Sequence, residues 1–153
     1  MLTIGQLIPD FELKNQSNDS MTCSSFIGKW VVVYFYPKDN TPGCTREAVA
    51  FSTLSQSFKE KNAIVLGISK DSVESHRKFC DTHHLDIHLL SDPDKTVINA
   101  FGVWQEKTLY GKKSFGIVRS TFIIDPHGCL FHQWVGVKVD GHAQIVLDTL
   151  PTC

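Results

Sequence analysis

The sequence has no cysteine pair spaced C-x-x-C. That excludes a zinc ribbon and a dithiol of the thioredoxin kind. No apolar run approaches the ~20 residues of a bilayer span, so no membrane partner is expected. The opening residues MLTIGQLIPDFELK lack a basic start followed by an apolar stretch. No secretory signal is read there, and the expected location is the cytosol. Charge of one sign is also missing: 15 Lys and Arg against 16 Asp and Glu leave −1 at pH 7. That balance gives no footprint for nucleic acid. No phosphate-binding loop, flavin fingerprint or haem attachment pattern appears, so no cofactor is implied. Repeats, linkers and low-complexity tracts are absent as well.

What is present is an ordinary globular composition: 153 residues, 42% hydrophobic and 20% charged. That suits one domain over 1–153 with a real core. The five cysteines are Cys23, Cys44, Cys80, Cys129 and Cys153. An odd number in a reducing compartment argues against a disulfide framework. Each is then a small buried hydrophobe or a reactive thiol, and context must decide.

Residues 11–14 and 20–26 predict a hairpin around the turn-rich NQSNDS. WVVVYFY, 30–36, is a continuous apolar run and reads as a buried central strand. From Pro42 to Lys61 the pattern is helical, with Cys44, Ala48, Phe51, Ser55 and Phe58 on one face. AIVLGIS, 63–69, is a second buried strand. A helix follows over 72–84, capped by Asp71 or Ser72. Leu89–Leu90 end a short strand, and 95–101 form a short helix. STFII and CLFHQWV are two strands joined at Asp125–Gly128. A helix over 141–150 closes the chain. Strand and helix in alternation imply parallel pairing with right-handed crossovers. The expected fold is α/β, thioredoxin-like: a central mixed β-sheet flanked by helices, with an N-terminal β-hairpin.

Cys44 follows the first buried strand and opens the next helix, where ligands of such sheets gather. Thr41 suits the N-cap and Pro42 the first helical position, which puts Cys44 third. Unpaired backbone N–H groups there favour an anion, and Gly43 lets a small ligand approach the backbone. A free thiol titrates near ~8.5, and bringing it to about 6 takes roughly 3 kcal/mol. A helix end supplies up to ~2 kcal/mol, so a cation is expected nearby. The chain has three arginines. Arg46 points to another helix face, and Arg77 has polar neighbours on the second helix. Arg119 heads a buried-looking strand in GIVRSTF, where a charge needs a reason. Arg119 is the expected partner.

Pro37-Lys-Asp-Asn-Thr41-Pro-Gly-Cys44 matches the P-x-x-x-[TS]-x-x-C signature of peroxiredoxins. YFYPKDNTPGCTREA resembles the bacterioferritin comigratory (peroxiredoxin Q) subfamily. The resemblance continues through VLGISKDSVESHRKF, LLSDPD, GIVRSTFIIDPHG and the last helix, nearly the whole chain. It implies a peroxidase for hydrogen peroxide and alkyl hydroperoxides, recycled by thioredoxin or a similar reductant and working as a monomer in antioxidant defence. Cys44 would be the peroxidatic nucleophile, oxidised to a sulfenic acid. Thr41 would hold the peroxide, Arg119 would stabilise the thiolate and polarise the O–O bond, and Pro37 would shield the pocket. The N–H groups of Gly43 and Cys44 would bind developing charge. Glu47 either orients an arginine or is a solvated first-turn acid.

The pattern departs at Val49, five residues after Cys44, where many members carry a second cysteine. Other members carry it on the next helix, which Cys80 fits. The resemblance therefore implies an intramolecular Cys44–Cys80 disulfide. The alternative is a one-Cys enzyme or peroxide sensor resolved by an outside thiol. Cys129 reads as packing, Cys23 has no supporting motif, and Cys153 is a tail thiol. His76, Cys80, His83 or His84, and His88 form a conceivable metal cluster, but their spacing fits no common zinc motif. A solvated polar helix face is the preferred reading, and no metal is assigned.

Overall fold

The computed structural model describes residues 2–152, with Leu109 described by its backbone alone. Seven strands form one sheet: β1 (Glu12–Lys14), β2 (Ser20–Thr22), β3 (Trp30–Phe35), β4 (Ala63–Ser69), β5 (His88–Ser91), β8 (Ser120–Ile124) and β9 (Leu130–Val135). Their spatial order is β2-β1-β5-β4-β3-β8-β9. β3, β4 and β5 run parallel, and β8 joins β3 antiparallel. A separate hairpin pairs β6 (Trp104–Leu109) with β7 (Lys112–Ile117). The helices are α1 (Pro42–Thr53), α2 (Ser55–Glu60), α3 (Val73–His83), α4 (Thr96–Ala100) and α5 (His142–Thr149). This is the mixed α/β sheet expected, with its N-terminal hairpin shortened to three residues a strand. Cys23–Phe26 turns instead into a 3₁₀ segment.

Alternation along β3 builds two cores. Val31, Val33 and Phe35 face one side, packed with Leu66, Ile98, Phe101 and Phe122. Val32, Tyr34 and Tyr36 face the other, with Phe51, Phe58, Phe79 and Val146. Full burial of each such side chain contributes roughly 1.5–3 kcal/mol. The sheet grows in one direction from β3 through β4 to β5, so both right-handed crossovers lie on one face. α1 and α3 therefore sit over the same side, with Cys44 and Cys80 in one core cluster.

Two expectations need correction. The single helix expected over 42–61 is broken at Leu54 into α1 and α2. The Ser-Thr-Leu-Ser run weakens the ladder there. Ser52 Oγ accepts from the Asp86 N–H at 2.7 Å, and Ser55 Oγ donates to the Asp86 carboxylate at 2.8 Å. The β6–β7 hairpin was not anticipated. Its strands carry Gln, Glu, Lys and Gly, which weaken any strand signal. The available cue was the two-residue tip Tyr110–Gly111, whose φ values of 52° and 76° mark a tight turn between paired six-residue runs.

Among the described residues no helix is long and apolar enough to cross a membrane.

Candidate active site

α1 begins where the apolar strand β3 has ended and the chain has turned through Pro37–Asn40. Asn40 adopts a left-handed φ of 61° before Thr41 takes the extended N-cap conformation. The cap differs from expectation in one respect. The Thr41 hydroxyl caps no backbone N–H; it donates to the Lys38 carbonyl at 2.9 Å. Its proton is thereby committed, and its lone pairs remain free to accept from a peroxide O–H. Pro42 takes the first helical position as expected. The first backbone bond of the helix runs from Thr45 N–H to the Thr41 carbonyl, at 2.8 Å. The N–H groups of Gly43 and Cys44 precede it and lack helical partners.

Cys44 is 1% exposed, on the inner face of α1 with Glu47, Ala48 and Phe51. Arg119 reaches it from the other end of the sequence, in the two-residue link between β7 and β8. Nη2 lies 3.4 Å from Cys44 Sγ, and Nη1 donates to Glu47 Oε1 at 2.7 Å. A guanidinium and a helix N-terminus thus meet the thiol from two sides. At an effective dielectric near 20, a cation at this range attracts a thiolate by about 5 kcal/mol, against the cost of burial.

Glu47 is an inward-facing side chain, 1% exposed, not a solvated first-turn acid. Burial pushes its carboxyl up to about 7 against the pull of Arg119. Its second oxygen, Oε2, has no hydrogen-bond partner among the described residues. The Arg119 guanidinium is shifted upward: burial pulls it down, but Glu47 and Cys44 outweigh that. Gly43 has a definite role. A Cβ built on it would lie 3.3 Å from Arg119 Nη2, so glycine here admits the guanidinium. The other two arginines are engaged elsewhere: Arg46 pairs with Asp140 in solvent, and Arg77 donates to the Gln16 carbonyl.

Pro37 is half-buried at the end of β3, on the approach to Thr41. Cys80 is on α3, 8% exposed, and its thiol is pushed up to about 12 by burial, then by Asp39 and Asp81. Cys44 and Cys80 are both reduced in this structure. Beneath them lies Tyr34, fully buried and stacked on Phe51 with ring centroids 4.7 Å apart. Burial first, then the charges of Glu47, Cys80 and Cys44, drives its phenol upward. Its hydroxyl has no partner among the described residues. The reading of 30–36 as a buried strand covers Tyr34, but its place in the same core as Cys44 and Cys80 depends on which face of the sheet it takes. Val49 is exposed on α1. Cys23 is buried in the core opposite Cys44, Cys129 is half-buried before β9, and Cys153 lies outside the described residues.

The histidines of α3 are not brought together. Their face is also not the solvated one expected: His76 points inward and is 0% exposed and Cys80 is buried beside it, while His84 is the left-handed C-cap of the helix. The group among the described residues with ligand atoms within 4.8 Å of one another is Asp39, Asp71 and His76. Each of those side chains is already hydrogen-bonded to protein.

Residues 4–133 match the AhpC/TSA family. A putative peroxiredoxin Bcp of Helicobacter pylori is 49% identical over 149 residues, covering 97% of this chain and 98% of that protein. Peroxiredoxin Bcp of Bacillus subtilis is 46% identical over 149 residues, covering 97% and 95%. In structure, the bacterioferritin comigratory protein of Xanthomonas campestris, described for its alkyl peroxide reduction activity, superposes with a TM-score of 0.91. It is 41% identical and covers 98% of this chain and 96% of its own. A cysteine-to-serine mutant of Xylella fastidiosa PrxQ gives a TM-score of 0.94 at 41% identity, covering 98% and 96%. With a buried thiol, an arginine and a helix N-terminus on one point, this chain belongs to the AhpC/TSA family and, within it, to the thiol-dependent peroxidases of the bacterioferritin comigratory, or peroxiredoxin Q, group.

Proposed function

We propose that Cys44 is the peroxidatic residue, and that Cys80 resolves it within the same chain. The observation that carries the first role is the Arg119 Nη2 to Cys44 Sγ distance of 3.4 Å at the start of α1. In the first step the Cys44 thiolate attacks one oxygen of ROOH. The O–O bond breaks, ROH leaves after taking up a proton, and Cys44 becomes a sulfenic acid. Thr41 accepts from the peroxide O–H. Arg119 and the N–H groups of Gly43 and Cys44 bind charge developing on the oxygens. Glu47 holds the guanidinium in place, and Pro37 shields the pocket. Hydrogen peroxide and organic hydroperoxides are the substrate class. The alkyl peroxide activity named for the Xanthomonas campestris protein supports the second of these.

In the second step the Cys80 thiolate attacks the Cys44 sulfur. A disulfide forms, the S–O bond breaks, and the sulfenic hydroxyl leaves as water after taking up a proton. Location of both cysteines on one sheet face supports this pairing. A dithiol of thioredoxin type then reduces the disulfide to two thiols. We infer a single domain over 1–153 that acts as a cytoplasmic monomer, with no resident cofactor or metal. The resolving step needs nothing from a second copy.

A non-reducing peptide map after one equivalent of hydrogen peroxide tests this reading. A linked Cys44–Cys80 peptide upholds the two-Cys cycle. Oxygen retained on Cys44 with Cys80 free would point to resolution by an outside thiol. No selective change at Cys44 would remove its peroxidatic role.

A further inference from the structure

The chemistry above leaves one buried polar cluster unused. It lies between the loop that precedes α1 and the first turns of α3. Tyr36 Oη donates to Asp39 Oδ1 at 2.5 Å. Ser75 Oγ donates to Asp39 Oδ2 at 2.8 Å. His76 Nδ1 lies 2.7 Å from the same carboxylate oxygen, and its Nε2 lies 3.0 Å from the Leu90 carbonyl. The Asp39 backbone N–H donates to Asp71 Oδ2 at 2.9 Å, and Ser69 Oγ donates to that oxygen at 2.7 Å. Tyr36, Asp39 and His76 are 1%, 7% and 0% exposed.

The protons can be counted. A carbonyl oxygen only accepts, so His76 Nε2 carries a proton toward Leu90. Nδ1 faces a carboxylate oxygen that also accepts from Ser75, and Tyr36 Oη stands 3.3 Å from the same nitrogen. The pair is a hydrogen bond to a carboxylate in a nearly dry seam, the kind whose loss of one partner is costly. Its placement matters as much as its strength. Asp39 stands five residues before Cys44, and His76 stands one helical turn before Cys80. The other side-chain bond from this loop to the far end of α3 is thin: His83 Nε2 to Asn40 Oδ1 at 3.2 Å, in solvent. A cleft of about 390 Å³ opens along the seam between Asp39, Asn40, Ser75 and Phe79.

We propose that the Asp39–His76 pair, seated on Tyr36 and Ser75, is a clasp. It joins the loop before Cys44 to the helix that carries Cys80, so that both segments open together and its release sets the rate of disulfide formation. The last clause rests on the Cys44–Cys80 reading given above. Two thiols on separate helices must come within about 7 Å between Cα atoms to bond. Cys80 in its resting place is also a poor nucleophile, since burial and Asp39 keep it protonated. Opening the clasp removes both obstacles, because it frees the helix and takes Asp39 away from the thiol.

Asp39→Asn in the full chain tests this. Asparagine keeps the shape and a neutral hydrogen bond to His76 but removes the charge. By hydrogen exchange of the reduced protein, amides of 38–45 and 73–83 should exchange at least about tenfold faster, together, while those of β3 and β4 stay unchanged. After a saturating peroxide pulse and acid quench, the Cys44–Cys80 disulfide should form at least about tenfold faster. A role confined to stability would loosen the whole fold without hastening a bond. Tyr36→Phe, which removes one donor to Asp39, should give the same changes in milder form and serves if Asp39→Asn fails to fold. Faster exchange in only one segment or in neither would overturn the clasp. So would a disulfide rate within about twofold of wild type. If wild type forms no Cys44–Cys80 disulfide, the resolution reading alone has failed. Exchange then decides the clasp: joint acceleration upholds it, and any other pattern overturns it.

Discussion

Arg119 Nη1 and Glu47 Oε1 are bonded at 2.7 Å across 72 positions of sequence. This contact fixes where the guanidinium can point its second nitrogen. Glu47→Gln keeps the size and removes the charge. The second-order rate constant for hydrogen peroxide should fall by about tenfold, or about 1.4 kcal/mol in the barrier. The pH profile carries a further signature. With its carboxyl pushed up to about 7, Glu47 becomes neutral as pH falls below that value. Activity of wild type should decline there, and Glu47→Gln should lack that component. Stopped-flow profiles that superpose after scaling would remove Glu47 from the mechanism.

Gly43→Ala places a methyl group 3.3 Å from Arg119 Nη2. Alanine is the better helix former, so thermal stability should hold or rise. Arg119 must shift by a few tenths of an ångström, and kcat/KM should fall by about fivefold or more. Loss of activity together with loss of Tm would mean a general disturbance instead.

Cys80→Ser leaves Cys44, Arg119 and Thr41 as they are. A single peroxide turnover should proceed at a rate close to wild type, while steady turnover with a dithiol reductant should fall to background. Sulfenic acid on Cys44, trapped with a dimedone-type reagent, should accumulate in its place. Unchanged steady turnover would mean that another thiol resolves the enzyme.

His142 is held neutral inside the fold, with Nε2 2.8 Å from the Thr121 hydroxyl. Burial lowers its pKa from 6.5 to about 4. Its contribution to stability is therefore complete above pH 6.5 and is lost as pH falls toward 4. Allowing for partial solvent access, the loss is on the order of 2 kcal/mol. Glu47 runs the other way: its contribution is complete below pH 4.5 and is lost as pH rises past 7. The two partly offset in wild type, so the variant isolates the histidine. Urea unfolding of His142→Gln should lose less stability than wild type between pH 7 and 4. Parallel curves would refute the assignment.

Much of the site was legible because it is local. Thr41, Pro42, Gly43 and Cys44 sit within one helical start, where spacing along the chain is spacing in space. Arg119 was found by a different route, as a charge at the head of a buried-looking strand with no other reason to be there. Glu47 remained ambiguous, because the side of α1 it faces depends on how α1 packs on the sheet, where Phe51 stacks on Tyr34 of β3. Tyr34 and the Asp39–His76 pair were illegible for the same reason. Their neighbours come from α1, α3 and β5, and only the packing of those elements brings them together. The β6–β7 hairpin escaped because its polar strands bury little, so the pattern that marks buried strands is absent.

The two crossovers that follow β3 and β4 lie on one face of the sheet. A nucleophile on the first and a second thiol on the next are therefore tethered by the chain itself. Their mutual concentration is set by 36 residues of polypeptide, and not by how much enzyme a cell contains. On the proposed Cys44–Cys80 cycle, resolution across that face would be insensitive to dilution. An enzyme so arranged can complete its oxidation at the lowest copy number, with only the final reductant left to diffusion.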